Sequence, residues 1–557
     1  METNPKIEID LRNPSIQSDI SWVSPNNQSI GNLNLLNVHG KDSPDVMLMS
    51  VNYSSLNSEL SPNVRNIAFM SNSTSDAICS FSNCYVEAVF SGPKDFFITT
   101  INFGYNYPKK IRIDYYNSNG SLIDTETIDE IDSQTIFSSV SIVGCKRMRM
   151  TFLESWFPFR VASLQEWLIG AILVFEKDSI VKLNLNEDVD PISRSLTIDN
   201  ADVELIPIGF NFDITSTKGI NRYLIPGTKV KISTKIIEND VAKDLYLGTY
   251  FIKSSGSTNN QSISFNCETI LGTMDKFNFY WFQIQESMRV GDVIRSIFGA
   301  CNITNYEIES SIDNLYCHGY IPVMSCRDAL KQVCFAFNLT VFDNRSENIR
   351  VKKFKQDIQT ENIIEYEYVT AQPTYSRNQN VKSISIKSCD IQLDSAESDV
   401  VTDITQSGQY IFSEPTKDVH IVRTSSQGYA TFGTAYVTFA TVNVIFPGTF
   451  KIVGQVYREK NVQEKVYNYA EDGENISIED CKLVNSALAD SIVQNVKSFY
   501  ENNELKIDFE YICTGQEVGK KVSVNLGEKT FVGYLIHHSL DVAGGMVANA
   551  EIVGDVS

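Results

Sequence analysis

The stretch Ile180-Val181-Lys182-Leu183-Asn184-Leu185-Asn186-Glu187-Asp188-Val189-Asp190-Pro191-Ile192-Ser193-Arg194-Ser195-Leu196 decides the fold. Its first half alternates apolar and polar residues, as a half-buried strand does, and Asp190-Pro191 then turns the chain out of the sheet. Strand patterns surround it: Ile172–Phe175 before, then Ala201 to Asp213, Tyr223 to Ile232 and Tyr246 to Ile252 after. Between about Tyr280 and Phe354 the period changes. Val290, Val293, Ile294, Ile297 and Phe298 share one helical face within Met288 to Ala300, and Ala329, Leu330, Val333, Cys334 and Phe337 another within Ser325 to Asn338. Ser325 with Asp328 three residues on reads as a capping pair. Strands Leu339–Phe342 and Asn348–Lys352 follow, joined through Asp343 to Glu347. The last 200 residues are strand-rich again, broken by one helix near Asp480 to Tyr500 with Leu483, Ala487, Leu488, Ile492, Val496 and Phe499 on its apolar face.

Working outward to the N-terminus, the first forty residues are rich in Asn, Ser and Pro and read as an extended arm or a loosely docked edge. From Val46 short strands alternate with turns: Phe96–Phe103, Ile111–Tyr116 closed by Asn117-Ser118-Asn119-Gly120, and Arg147–Phe152. That spacing predicts a β-sandwich. The fold class expected is mainly β and multidomain: an N-terminal arm (1–45), a β-sandwich (46–171), a strand-rich block (172–279), an α+β module with two helices (280–370), and a second strand-rich block with one helix (371–557). Two copies of one barrel would produce a weak internal echo in the sequence, and so would generic hairpins. Leu247-Gly248-Thr249-Tyr250-Phe251-Ile252 and Val532-Gly533-Tyr534-Leu535-Ile536 each follow a charged turn and lead to a strand carrying Glu268 or Glu551.

At 557 residues the chain exceeds one ordinary core, and its 31 Phe and 25 Tyr favour strands. A formal net charge of −21 argues against a protein that grips nucleic acid, since phosphate affinity needs clustered Lys and Arg. Arg350-Val351-Lys352-Lys353-Phe354-Lys355 is the strongest basic run and reads as a solvated face. No basic start with an apolar stretch suggests a signal peptide, and no run of about 18 apolar residues suggests a membrane span, so synthesis in the cytoplasm is expected. The 11 cysteines read as reduced, buried thiols; Cys317, His318, Cys326 and Cys334 match no common zinc spacing and are read as core packing.

These patterns resemble a known family. The strand, the acidic Asp-Pro-x-Ser turn, the line Leu196-Thr197-Ile198-Asp199-Asn200-Ala201-Asp202-Val203, and Ser325-Cys326-Arg327-Asp328-Ala329-Leu330-Lys331-Gln332-Val333-Cys334 opening the second helix resemble the tail or baseplate hub proteins of phages and tailocins. The segment from Tyr115-Tyr116 through Met148–Phe152 to Arg160-Val161-Ala162-Ser163-Leu164-Gln165-Glu166 resembles the discoidin-like, sugar-binding sandwich of the clostridial branch of those hubs. The resemblance implies that 46–171 is a carbohydrate-binding-like β-sandwich, that 172–279 is a first hub β-barrel and 371–557 a second hub β-barrel with an inserted β-rich region, and that the chain is a structural part of a tail tip that closes the tail tube. It also implies partners: a homotrimer of this chain, the tail tube or distal tail protein, and spike, tape-measure or baseplate wedge proteins. The expected location is the virion or a tailocin particle.

No cofactor or metal is called for. An enzyme should show a nucleophile with its base, a metal cluster or framed paired carboxylates, and none is legible. His39, His318, His420, His537 and His538 lie in unrelated contexts, and Asp188 and Asp190 read as a solvated turn rather than a glycosidase pair or a calcium site. The candidate site is an aromatic platform for a host cell-wall glycan at Trp156, Phe157 and Phe159, with capping of the sandwich as the bland reading. The alternatives are a cell-wall glycan-binding adhesin or receptor-binding tail protein, and a cell-wall polysaccharide hydrolase.

Overall fold

A computed structural model describes residues 2–11, 16, 18–24, 32–37, 68–96, 98–104, 107–138, 142–192, 195–206, 224–238, 241–258, 262–281, 288–343, 345–353, 362–377, 381–468, 471–478 and 481–556. The chain is mainly β and forms two compact units, residues 8–174 and residues 1–7 with 175–557. Asn13-Pro14, His39, Val46, residues 207–213, Tyr223 and Lys355 lie outside the described residues.

In the smaller unit, Ile20–Val23, Tyr85–Phe96, Ile142–Glu154, Lys110–Tyr116 and Leu122–Ile128 form a five-stranded antiparallel sheet in that order. A three-stranded sheet of Glu166–Ile169, Thr99–Asn102 and Thr135–Ser138 shares its core, as does the pair Val161–Leu164 and Phe69–Thr74. Alternation explains the packing: Met148, Met150 and Phe152 all point inward from one strand. Phe152 stacks on Phe69 at 5.7 Å, and Trp22 meets Trp167 at 5.6 Å. The run Phe96–Phe103, read as one strand, is split between two sheets, with a strand ending at Phe96 and another starting at Thr99. Two stretches of the expected arm are strands as well. Ile20–Val23 pairs with Glu87–Phe90, and Glu2–Asp10 joins the large sheet, where alternation buries Ile7 and Ile9.

The larger unit is organised by one 13-stranded sheet. Its strands, in chain order, are β1 (Glu2–Asp10), β2 (Ile172–Glu176), β3 (Ile180–Asp188), β4 (Asn200–Leu205), β5 (Lys229–Glu238), β6 (Val241–Thr258), β7 (Ser262–Glu268), β8 (Asn362–Ile364), β9 (Thr374–Arg377), β10 (Leu505–Ile512), β11 (Lys521–Asn525), β12 (Thr530–Asp541) and β13 (Val547–Val556). They lie in the order β2-β1-β5-β6-β7-β4-β3-β12-β13-β10-β9, with β11 pairing both β8 and β12. The two barrels expected from sequence are not present as separate closed barrels among the described pairings. The reason is the β3–β12 ladder from Asn184–Asp541 to Asp188–His537, which zips the two strand sets edge to edge.

Within that sheet one topology occurs twice. β3 to β7 lie in the order β5-β6-β7-β4-β3, and β9 to β13 in the order β11-β12-β13-β10-β9; every one of these ladders is antiparallel. The echoing segments around Gly248 and Gly533 fall in the central strand of each three-strand meander.

The α+β module forms as expected, with α1 (Val290–Ala300) and α2 (Cys326–Phe337) over a sheet of Tyr306–Ile308, Ile349–Lys353 and Leu339–Phe342. Ser325 caps α2 by accepting the Asp328 N–H at 3.1 Å, and Asn338 ends it at φ 54°. Cys317, Cys326 and Cys334 are buried in the core of this module, whereas His318 is exposed. The last helix, α3 (Ser486–Glu501), starts later than its apolar pattern suggests because Asn485 caps it through the Leu488 N–H at 2.9 Å. Leu483 is therefore buried ahead of the helix, and Ala489 rather than Ala487 faces the core. The inserted strands Val381–Ile404, Phe450–Asn468, Thr416–Arg423 and Glu474–Ile478 form a second sheet beside a three-stranded one with its own small core.

Gly533 stands opposite both Val522 and Gly554, and a Cβ there would lie 2.3 Å from the Val553 carbonyl oxygen. Gly533→Ala should cost about 1–3 kcal/mol, because the strand must shift to admit the methyl group. Chemical denaturation of the full chain checks this.

Candidate functional site

The segment carrying Trp156, Phe157 and Phe159 leaves the long strand Ile142–Glu154 and is tied down by a buried serine. Ser155 Oγ lies 2.8 Å from Ser75 Oγ and donates to the Phe157 carbonyl at 2.7 Å, while its N–H reaches the Cys79 carbonyl at 2.8 Å. On the other side the Ser75 N–H donates to the Arg160 carbonyl at 2.7 Å and the Arg160 N–H donates to Ser75 Oγ at 3.0 Å. The facing loop is an Asx turn, with Asp76 Oδ1 accepting from Ile78 and Ser80 at 2.9 and 2.8 Å. Phe159 and Cys79 take left-handed backbone angles, φ 58° and 68°, which cost free energy for residues of this size.

The result is an apolar patch held out by polar clamps. Trp156 is 39 %, Phe157 62 % and Phe159 54 % exposed, and Ile78 on the adjoining loop is 80 % exposed. Trp156 Nε1 donates to the Ile131 carbonyl at 2.7 Å, so the indole edge is fixed. Lys109 stands 5.8 Å from its ring centre and is itself paired with Glu130 at 3.2 Å; Arg160 is 5.7 Å from the Phe157 ring. The three aromatic residues named from the sequence are all exposed on this one segment, and Ile78 is exposed on the loop hydrogen-bonded to it. Fixed, exposed rings flanked by charge suit a ligand with an apolar face and polar edges.

A second cluster escaped the sequence reading and is sealed inside the large unit. Glu187 on β3 is fully buried and takes two bonds from Arg345, Nε to Oε1 at 2.7 Å and a second nitrogen to Oε2 at 2.9 Å. His538, opposite it on β12 and also fully buried, places Nδ1 3.2 Å from Glu187 Oε2 and Nε2 3.2 Å from the Tyr511 hydroxyl. One residue along, His537 Nδ1 lies 2.6 Å from Asp188 Oδ1 on the opposite face of the same ladder. Asp188 is therefore half of an ion pair. Asp190 is the turn former, accepting from Ile192 at 3.1 Å and Ser195 at 2.9 Å.

Electrostatics follow from burial and partners. Burial alone would push the Glu187 carboxyl up, but Arg345 and His538 outweigh it and hold it at about 2. Burial opposes a charged His538, yet bonds to Cys513 and Glu187 raise it to about 9. Burial likewise pushes the Cys513 thiol up, and His538 with Arg345 brings it down to about 7. Cys513, His538 and Glu187 have the composition of a thiol–imidazole–carboxylate triad. All three are fully buried, and Arg345 already neutralises the carboxylate, so the arrangement is a structural pin between β3, β12 and the hairpin that carries Arg345.

Local patterning carried part of this. Leu183, Leu185 and Glu187 share the inward face of β3, which period 2 alone places there. On β12 a bulge between Leu535 and His537 moves the inward face to His538, a shift that strict alternation hides.

Arg345→Ala, which strands Glu187, should cost about 3–5 kcal/mol in urea unfolding. The pH dependence has a defined window. His538 is raised from 6.5 to about 9, so its contribution is complete below pH 6.5 and is lost as pH rises through about 9. Glu187, lowered from 4.5 to about 2, contributes above pH 4.5 and loses this as pH falls through about 2. The stability gap between wild type and Glu187→Gln should therefore be flat from pH 4.5 to 6.5, shrink as pH rises from 6.5 to about 9, and shrink likewise as pH falls below 4.5.

No family model and no curated protein matches this chain. Solved structures with a similar fold include the tail protein from Neisseria meningitidis MC58, at 10% identity and TM-score 0.40, covering 68% of this chain and 93% of that one. The 43 kDa tail protein of prophage MuSo2 from Shewanella oneidensis is 9% identical at TM-score 0.40, covering 69% and 96%. The prophage tail protein gp18 from Listeria monocytogenes EGD-e is 11% identical at TM-score 0.37, covering 69% and 91%.

Proposed function

We propose that this chain is a structural, non-enzymatic component of a phage-type tail tip or baseplate, a homotrimeric hub that closes the tail tube and joins it to spike or peripheral baseplate proteins. The observation that carries this reading is the repeated five-strand topology, β3–β7 and β9–β13. Two similar strand sets per chain give six per trimer, which allows a threefold object to repeat its contacts around a sixfold tube. The order of acidic turn, capped second helix and second strand set, which resembles the hub family, is kept in the fold. Sealing of the Cys513–His538–Glu187 cluster supports the non-enzymatic half of the reading, since no substrate reaches it.

The hub reading predicts a particle of three 62.6 kDa chains in native mass measurement, and antibody labelling at the tail tip in electron microscopy. A monodisperse monomer that never copurifies with tail proteins contradicts it.

A second role at the same particle is favoured by the exposure of Trp156, Phe157 and Phe159: binding of host cell-wall glycan. Trp156→Ala should abolish retention of the protein on purified cell walls while leaving its thermal unfolding within about 1 kcal/mol of wild type, since loss of an exposed ring costs little stability. Unchanged retention leaves the aromatic patch without a glycan role.

A further inference from the structure

Between the first strand set and the α+β module lies a cleft of about 230 Å³. One wall is β5 and β6, with Lys229, Thr249 and Phe251; the others are the segment after α1, Asn302 to Asn305, and the hairpin turn Ser346 to Ile349. Asp343 lines it and is only 7 % exposed, with Oδ2 accepting from the Leu271 N–H at 3.2 Å. Burial pushes this carboxyl up to about 6.

We infer that this cleft is a binding site for a neutral, polyhydroxylated ligand of single-pyranose size. Three features select that chemistry. Asn302, Asn305 and Asn348 carry amides with two N–H donors and an acceptor oxygen each, of which Asn348 gives one N–H to Glu307 at 3.3 Å and Asn305 Oδ1 accepts from Thr304 at 3.5 Å; Asp343 and the Thr249 hydroxyl, bonded to Tyr246, add further polar groups, and the remaining capacity matches hydroxyls that donate and accept at once. Phe251 and Ile303 supply apolar wall for the C–H face of a ring. Charge is balanced locally: Glu347 pairs with Lys231, and Lys229 also holds its carboxyl down, so the mouth favours neither an anion nor a cation. The volume is below that of sites for drug-sized ligands, which limits the occupant to a small molecule.

The cleft is also preorganised. Its hairpin wall contains Arg345, whose guanidinium is locked onto Glu187 in the core, so the turn keeps its position without a ligand. A fixed wall spares the ordering cost of binding.

Saturation-transfer NMR on the full chain with glucose, galactose and N-acetylglucosamine at millimolar concentration tests the site. At least one sugar should receive saturation. Asn305→Trp, at an exposed position on the rim, should block the cleft and abolish the signal; Asn305→Ala should weaken it by about tenfold, as loss of one well-made hydrogen bond predicts. Trp156→Ala should leave it unchanged, which separates this site from the aromatic patch. No saturation with any of the three sugars, a signal indifferent to Asn305→Trp, or one lost only in Trp156→Ala overturns the inference.

Discussion

The bidentate Arg345–Glu187 pair, completed by His538, is the contact on which the larger unit depends. Each partner comes from a different part of the chain: β3 of the first strand set, β12 of the second, and the hairpin of the α+β module. A buried ion pair is poor evidence of net stability, because desolvation offsets most of the Coulomb gain. Its value here is specificity. Only one alignment of β3 against β12 sets Glu187 opposite His538 and Asp188 opposite His537, and a slip of one residue would bury Asp188 against an apolar core.

That constraint explains why two similar strand sets form one sheet. Had β3 closed on its own set, Glu187 would lack His538. Zipped to β12, it has two partners that make three bonds to it, and the hairpin carrying Arg345 is held against the seam. The same anchoring fixes the hairpin wall of the polar cleft. A scaffold with its strongest charges sealed inside and its candidate binding surfaces at loop ends suits a part that is assembled once and must keep its shape.

Much of the fold was legible where local chemistry is decisive. Alternation in Ile180–Asp188, the Ser325 cap and the left-handed Asn338 define strand and helix without tertiary help. The exposed aromatic run at Trp156 was legible too, since three bulky residues around Pro158 interrupt the strand pattern. What stayed hidden depends on partners distant in sequence. Arg345 sits in a polar turn, Asp343-Asn344-Arg345-Ser346-Glu347, that reads as solvated, and nothing local shows that it enters the core 158 positions from Glu187. The bulge after Leu535 reverses the facing of the two histidines, so counting by twos puts the wrong one inside. The joining of the two strand sets stayed hidden for the same reason, because edge pairing between β3 and β12 is a non-local choice that neither strand displays alone.

The central claim is that β3–β7 and β9–β13 act as equivalent units of a threefold hub. Its most direct test is a cryo-electron microscopy reconstruction of the assembled particle, refined without imposed symmetry. The account predicts that three chains place both strand sets at alternating, near-equivalent positions around one sixfold ring. Density in which only one set borders the ring, or in which the chain occurs in copy number other than three, would contradict it.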